Sequence, residues 1–267
     1  CKYCGKVKPI ISILAAFFSA ALLNAQTSGE STDKLAQGYV YIHTLRNEPS
    51  IERNGAELRL KRRDIVPANG LTIETVKGQC AMLVLSNRTV IFVKGNAKLT
   101  IENFEQATPF DFQLDDEYES THSQLRISLD YGEIYMAMLS PRPTSRTIIK
   151  TTFGAVEPKT TAMYISCDKK NSKFAIFNGQ AVFCGLDNKR DFIQQGQIGI
   201  VEELESKKMY PLKIEPMSSL QEDRHEKVLE LCKLAMQSTE IKLSREGNFS
   251  ARRLVPKDFF LRKHNMN

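Results

Sequence analysis

The sequence is short of the features that announce chemistry. No Gly-x-Ser-x-Gly elbow, Walker loop or dinucleotide fingerprint occurs in its 267 residues, which removes the starting motif for the commonest hydrolase, nucleotide-binding and dehydrogenase readings. The four histidines, His43, His122, His225 and His264, lie in separate segments without a Cys or His at zinc-ligand spacing. Excess charge is missing as well. The formal net charge of +6 falls to +3 without residues 1–25, which hold Lys2, Lys6 and Lys8 and no acid. So mild a charge excludes a nucleic-acid binder on composition, because such domains concentrate a basic face. There is no Trp, and no low-complexity tract beyond the polar linker Gln26–Lys34. The one long apolar run, Ile10–Leu23, is short of the ~20 residues that a spanning helix needs.

That run belongs to a targeting segment. The three lysines form a basic n-region, Ile10–Leu23 an apolar h-region, and Leu23-Asn24-Ala25 a cleavage site before Gln26. Residues 1–25 are thus expected to be a signal peptide, with an uncleaved anchor as the alternative, and the mature chain to be periplasmic or extracellular without a membrane span. The chain begins with Cys1 instead of Met, and neither Cys1 nor Cys4 follows a lipobox, so no lipid anchor is expected. The remaining 242 residues suffice for one sizeable core.

The stretch Asn54–Phe104 organises the rest of the chain. Short apolar runs (Leu71–Thr75, Cys80–Leu85, Val90–Val93, Leu99–Ile101) alternate with Gly, Asn, Pro and Lys, the rhythm of consecutive strands. Cys80–Leu85 and Val90–Val93 are apolar at odd and even positions alike, which requires protein on both faces of the pair. A two-residue loop at Asn87-Arg88 would pair Leu85 with Val90 and Leu83 with Phe92.

The same stretch resembles FecR domains. Asp64-Ile-Val-Pro-Ala-Asn-Gly70-Leu-Thr-Ile-Glu-Thr75 is similar to their GD-x-I-x-x-G-x-x-I-x-T segment, and Ala81-x-Leu83-x-Leu85-x-Asn87-Arg88-Thr89-x-Ile91 to their A-x-L-x-L-x-DG-S/T-x-I. Leu129-x-x-Gly132-Glu-Ile134, Ile149-x-Thr151, Asn178-Gly179-x-x-Val182 and Gln195-Gly196-Gln197 follow in the family's order, so the resemblance covers residues 50–200. Arg63 stands where the family usually has Gly, Asn87-Arg88 replaces Asp-Gly, and Lys159-Thr160-Thr161 sits where Arg-Gly-Thr is expected. The resemblance implies a bacterial envelope protein. In the best-known members such a domain relays an outer-membrane transporter's state to a sigma-factor system through a cytoplasmic anti-sigma segment. Here the signal peptide leads almost directly into the β region, so a stand-alone exported domain is expected.

Four cysteines lie beyond residue 25: Cys80, Cys167, Cys184 and Cys232. Asn178-Gly179 between Phe174–Phe177 and Gln180–Phe183 reads as a hairpin turn, which places Cys184 opposite Lys173. Cys167 would lie on the other side of Lys173, about 10 Å from Cys184 and beyond disulfide reach of about 7 Å, so buried free thiols are expected. Cys80 opens an apolar run where a thiolate is disfavoured, against a nucleophilic role.

Residues 105–124 break the pattern with Asp111, Asp115, Asp116, Glu117 and Glu119. They lack the calcium-loop rhythm and its Gly, and read as a solvated hairpin insertion. Beyond Pro211 and Pro216 the period becomes helical. Ser219-Leu-Gln-Glu222 reads as a capping box, and Val228, Leu231, Cys232 and Ala235, with Leu229 and Met236, form a stripe expected to dock on the β domain. Glu222 and His225 share a helix face at i, i+3, but the second copy that a di-metal site needs is missing, so a solvated face is expected. Asn87-Arg-Thr89 and Asn248-Phe-Ser250 match glycosylation sequons.

The expected fold is mainly β: a single FecR-like domain of short, mostly antiparallel strands, twisted solenoid- or sandwich-like, plus one C-terminal amphipathic helix. Its parts are a signal peptide at 1–25, a polar linker at 26–37, the β domain at 38–205 with its acidic insertion at 105–124, the helix at 216–240 and a basic tail at 244–267. The function expected is non-catalytic binding or scaffolding of a protein or glycan partner in the cell envelope. No catalytic residue, cofactor or metal ligand is assigned. The alternatives are FecR-type signal relay, an enzyme with a dispersed site drawn from Asp111–Glu119 and Arg142–Arg146, and assembly through exposed strand edges.

Overall fold

Strand pairing begins at Leu35, inside the stretch read as linker. The computed structural model describes residues 35–111, 118–203 and 211–254. In chain order the strands are β1 (Leu35–Gln37), β2 (Tyr39–Arg46), β3 (Ser50–Arg53), β4 (Ala56–Glu57), β5 (Ile65–Pro67), β6 (Leu71–Thr75), β7 (Cys80–Leu85), β8 (Val90–Val93), β9 (Ala97–Ala107) and β10 (Phe110–Asp111). They continue as β11 (Ser123–Ala137), β12 (Arg146–Thr151), β13 (Gly154–Cys167), β14 (Asn171–Gly185), β15 (Arg190–Gln194), β16 (Gln197–Glu202) and β17 (Leu212–Pro216). Helix α1 (Ser219–Gln237) then leads to β18 (Thr239–Leu243) and β19 (Phe249–Arg253). Among the described residues α1 is the one helix.

The sheet closes on itself. β2 pairs with β7, β7 with β8, β8 with the second half of β11, and the first half of β11 with β9. β9 returns to β1, which continues into β2 through Gly38, whose N–H donates to the Phe104 carbonyl at 2.8 Å. The result is a closed five-strand barrel with extra strands, where the sequence allowed a solenoid or a sandwich. The mainly β content with one helix is as expected. Beyond the barrel the sheet runs on through β12, β13, β14, β16 and β17, antiparallel except for the parallel β11–β12 pair.

Alternation fills the barrel. Val40, Ile42, Leu83, Leu85, Ile91, Val93, Leu99, Ile101, Leu125, Ile127 and Leu129 all point inward, each 2% exposed or less. Their neighbours Tyr41, Met82, Val84, Val90, Tyr135 and Tyr164 point outward, into a second core capped by α1 and β18. That is why Cys80–Leu85 and Val90–Val93 are apolar at every position: both faces are covered.

The hairpin register differs by one from the sequence reading. Leu83 pairs with Ile91 and Met82 with Phe92, because the loop has three residues, Ser86 to Arg88, closed by Leu85 N–H to the Thr89 carbonyl at 2.8 Å. Arg88 takes the left-handed conformation (φ 67°), as does Arg63 (φ 79°), a region that glycine enters at the least steric cost. Asn178-Gly179 is not a turn either. β14 runs straight through it, and Gly179 (φ 85°) absorbs the register shift opposite Thr160–Met163. The actual turn is Asp168–Lys170, where the Asp168 carboxylate accepts from the Lys170 and Asn171 amides at 2.7 and 2.9 Å. Cys167 and Cys184 therefore sit near opposite ends of the β13–β14 ladder, and all four described cysteines are free. Cys167 and Cys232 are buried; Cys80 and Cys184 are half-buried.

Helix α1 starts one residue earlier than expected. Ser218 is the N-cap, accepting from the Gln221 amide while its own N–H donates to Gln221 Oε1 at 2.9 Å. Its buried face is Leu229, Cys232, Ala235 and Met236, with Val228 at the margin; Leu231 is 56% exposed. The docked stripe is rotated from the expected one by about one residue.

Candidate functional site

One concave site stands out, at the edge of the barrel beside β2, with a cavity of about 1000 Å³. That is the upper end of the range for ligand pockets. Its floor is Leu45, Ile51, Leu58 and Leu60.

Two turns make one wall. Asn47 and Glu48 both adopt left-handed φ (57° and 47°) in the short connection that carries the chain from β2 to β3. Gln79 locks this turn to the β6–β7 turn: its Nε2 donates to the Asn47 and Glu48 carbonyls at 2.8 and 3.1 Å, and Asn47 Nδ2 donates to the Gly78 carbonyl at 2.8 Å. The opposite wall is the extended run Leu58-Arg59-Leu60-Lys61-Arg62, with leucines packed against the barrel core and Arg59 and Lys61 outward. Its ends are pinned: the Leu58 amide donates to the Ile51 carbonyl at 2.8 Å, and the Lys61 amide to Asp64 Oδ2 at 2.7 Å.

The rim carries both signs, with Arg59, Lys61 and Arg62 along one wall and Glu48, Glu57 and Glu74 elsewhere. A hydrogen bond from the Tyr131 hydroxyl at 2.7 Å, helped by Lys98, holds the Glu74 carboxyl below its usual range. Val76 adds an exposed apolar side chain to the rim.

Beside the cleft, β2 has an open edge. Thr44, Leu45 and Arg46 pair with β7 on one side, whereas β5 covers the other side only along Tyr39–Tyr41. Among the described residues no strand pairs with Thr44–Arg46 there. A half-paired strand next to a groove of mixed polar and apolar lining can hold an extended chain by main-chain hydrogen bonds, with pockets for alternate side chains.

The groups singled out in the sequence lie elsewhere. The insertion is not simply a solvated hairpin: Asp111 lies on β10, Asp115, Asp116 and Glu117 fall outside the described residues, and Glu119 is buried at 3% exposure. Glu119 Oε1 accepts from Asn87 Nδ2 at 3.0 Å and from the Ser123 hydroxyl at 2.9 Å. Burial pushes its carboxyl up, against the hydrogen bonds it accepts. Arg142 does meet it, with Nε donating to the Glu119 carbonyl at 2.7 Å, and Ser145 Oγ accepts from the Ser123 amide at 3.0 Å. These bonds join the β7–β8 turn, the end of the insertion and the 141–145 loop in a closed, buried node. Asn87, at 1% exposure, cannot serve as a glycosylation acceptor in the fold, whereas Asn248 is exposed.

His225 is not on a solvated face. Its ring lies 4.2 Å from that of Tyr164 and within 6 Å of Tyr135 and Phe177, and its Nδ1 pairs with the Tyr135 hydroxyl at 2.9 Å. Burial and the Arg224 charge lower its basicity, while Glu222 stays exposed. Burial likewise pushes the Cys232 thiol up to about 12 and raises the Cys80 thiol. Among the described residues no group of three or more His, Cys, Asp or Glu is arranged to hold a metal ion, and no helix is long and apolar enough to cross a membrane.

The cleft was missed in the sequence. Its signal was present in the alternation Leu58-Arg59-Leu60-Lys61, which has strand periodicity, yet only its first residue bonds to a neighbouring strand.

No known family's sequence profile matches this chain, and no curated protein matches it. It is similar to two crystal structures of proposed anti-sigma factors from Parabacteroides distasonis. One, at 2.50 Å resolution, has 9% identity and a TM-score of 0.42, over 58% of this chain and 63% of that one. The other, at 1.65 Å, has 11% identity and a TM-score of 0.38, over 55% and 60%. The chain thus spans less than two thirds of the length of either.

Proposed function

We propose that this protein is a non-catalytic binding module of the bacterial envelope, an exported FecR-like domain that holds an extended segment of a partner protein in the cleft beside β2. The observation that carries the reading is the open Thr44–Arg46 edge facing an apolar floor, with a rim of both charge signs. Main-chain pairing supplies affinity without demanding one sequence, and Leu45, Leu58 and Leu60 offer apolar contacts to alternate side chains.

The test is capture from a native envelope extract with the immobilised full chain, alongside Val76→Asp and Leu60→Glu. Val76 is 60% exposed, so its replacement leaves folding intact while putting a charge on the apolar rim. Loss of the captured partner with Val76→Asp, at unchanged melting temperature, is the expected result. A partner held equally by the wild type and both variants would place binding elsewhere and overturn the assignment. An outer-membrane transporter as the captured partner would extend the reading to the signal relay that the FecR resemblance implies.

A further inference from the structure

The strand that ends the large sheet has a free side. β17 pairs antiparallel with β16 along Leu212–Pro216, and among the described residues no strand pairs with its other side. The Met217 amide donates to the Gly196 carbonyl at 2.8 Å, in register with that ladder. Antiparallel bonds recur at every second residue, so Lys213 and Glu215 turn their main-chain groups to β16. Leu212, Ile214 and Pro216 turn theirs to the free side. Helix α1 does not cover that side. It leads from Ser218 back over the sheet to β13, β11, β8 and β7.

The side chains of β17 alternate between the faces of the sheet. Leu212 packs against the inner core, and Ile214, on the same face, is 38% exposed. Lys213 and Glu215 form an ion pair on the other face. Lysine and proline on an edge strand normally deter a further strand. A two-fold axis through Ile214 reverses that effect. It sets Ile214 opposite its own copy, and it sets Lys213 opposite Glu215 and Leu212 opposite Pro216 twice each. The two Ile214 residues then exchange both main-chain bonds, and each Leu212 N–H meets a Pro216 carbonyl, so the proline forfeits one bond per copy. Sliding the strands by two residues in either direction opposes Lys213 to Lys213 or Glu215 to Glu215, which like charges disfavour. Sliding by one opposes the free main-chain groups to groups already bonded to β16. The charge pattern therefore admits one register, and it does so with a second copy of itself.

We propose that β17 is an interface between two copies of this chain, which pair antiparallel about Ile214 and join their sheets edge to edge. None of the residues lining the cleft is on β17, so this pairing is independent of what the cleft holds.

The experiment is sedimentation velocity of the full chain from about 1 μM to about 1 mM, with amide hydrogen exchange at both ends of that range. One five-residue strand pair buries little surface, so association should be weak and concentration-dependent. Dimer formation should slow exchange at the Leu212 and Ile214 amides, whereas the Lys213 and Glu215 amides, bonded to β16, stay protected throughout. Ile214→Pro removes both central N–H donors without touching the β16 ladder and should weaken the dimer about tenfold or more. Lys213→Glu sets like charges opposite each other at two places and should weaken it to a similar degree. Lys213→Glu combined with Glu215→Lys restores opposite charges and should return association to within about threefold of the wild type, a gain that misfolding cannot imitate. A monomer at every concentration would overturn the proposal. So would a dimer that Ile214→Pro leaves unchanged, or one that the double exchange fails to restore.

Discussion

Leu229 and Leu231 give the sharpest test of how α1 is seated. Leu229 is 2% exposed and packs in the outer core with Met82, Val84, Val90 and Tyr135, whereas Leu231 is 56% exposed. Truncating Leu229 to Ala removes buried methyl groups and leaves a void against a sheet that cannot collapse into it, a cost of about 2–5 kcal/mol. The same change at Leu231 removes atoms already in water and should cost no more than about 0.5 kcal/mol. A domain of this size loses ~2–4 °C of melting temperature per kcal/mol, so Leu229→Ala should melt roughly 4–20 °C lower and Leu231→Ala within about 2 °C of the wild type. Thermal unfolding followed by far-UV and near-UV circular dichroism reads both, the near-UV band coming from tyrosines since there is no Trp. The seating is refuted if Leu231→Ala lowers the midpoint as far as Leu229→Ala, or if Leu229→Ala leaves it in place.

Gly132 should not accept a side chain. At φ 98° its Cβ would stand 2.3 Å from Ala97 Cα and 2.5 Å from the Asn96 carbonyl oxygen, so Gly132→Ala combines a left-handed penalty with a backbone clash and should cost about 2–5 kcal/mol. Gly196→Ala, at φ 77° with nothing within 4 Å, carries only the conformational part, roughly 1–2 kcal/mol; equal midpoints in denaturant for the two variants would contradict this packing. Stability should also fall in mild acid through His43, whose protonation midpoint burial and the Arg253 and Arg62 charges depress from 6.5 to about 4. The unfolded chain takes the proton first, so this contribution is complete above the ordinary value of 6.5 and lost as pH falls toward about 4, at most about 3 kcal/mol. His225 acts in the same direction, and Glu119, with its midpoint raised, in the opposite one. His43→Gln should therefore flatten the wild-type curve of unfolding free energy across that window, and an unchanged slope would show that His43 does not carry it.

The sequence by itself determined the class of fold and much of its local detail. Runs apolar at every position, as in Cys80–Leu85, can only be strands covered on both sides, and the change to helical spacing after Pro216 can only be a helix with one buried face. The left-handed φ at Arg63 and Arg88 was not legible, because an arginine carries no local signal for a conformation that glycine or asparagine usually takes. Register and rotation were not legible either. Ser86–Arg88 makes a three-residue loop because a single left-handed residue suffices, and that shifts every partner along β7 and β8 by one. Asn178-Gly179 has the composition of a turn, yet it lies within one strand because two long ladders hold it there. On α1 two apolar stripes overlap, and periodicity cannot choose between them; the seat of His225 among Tyr135, Tyr164 and Phe177 does. Barrel closure, the open edge of β2 and the stacking of Tyr39 on Phe249 join segments up to 210 positions apart. No local pattern encodes such contacts, because they exist only once the chain has folded back on itself.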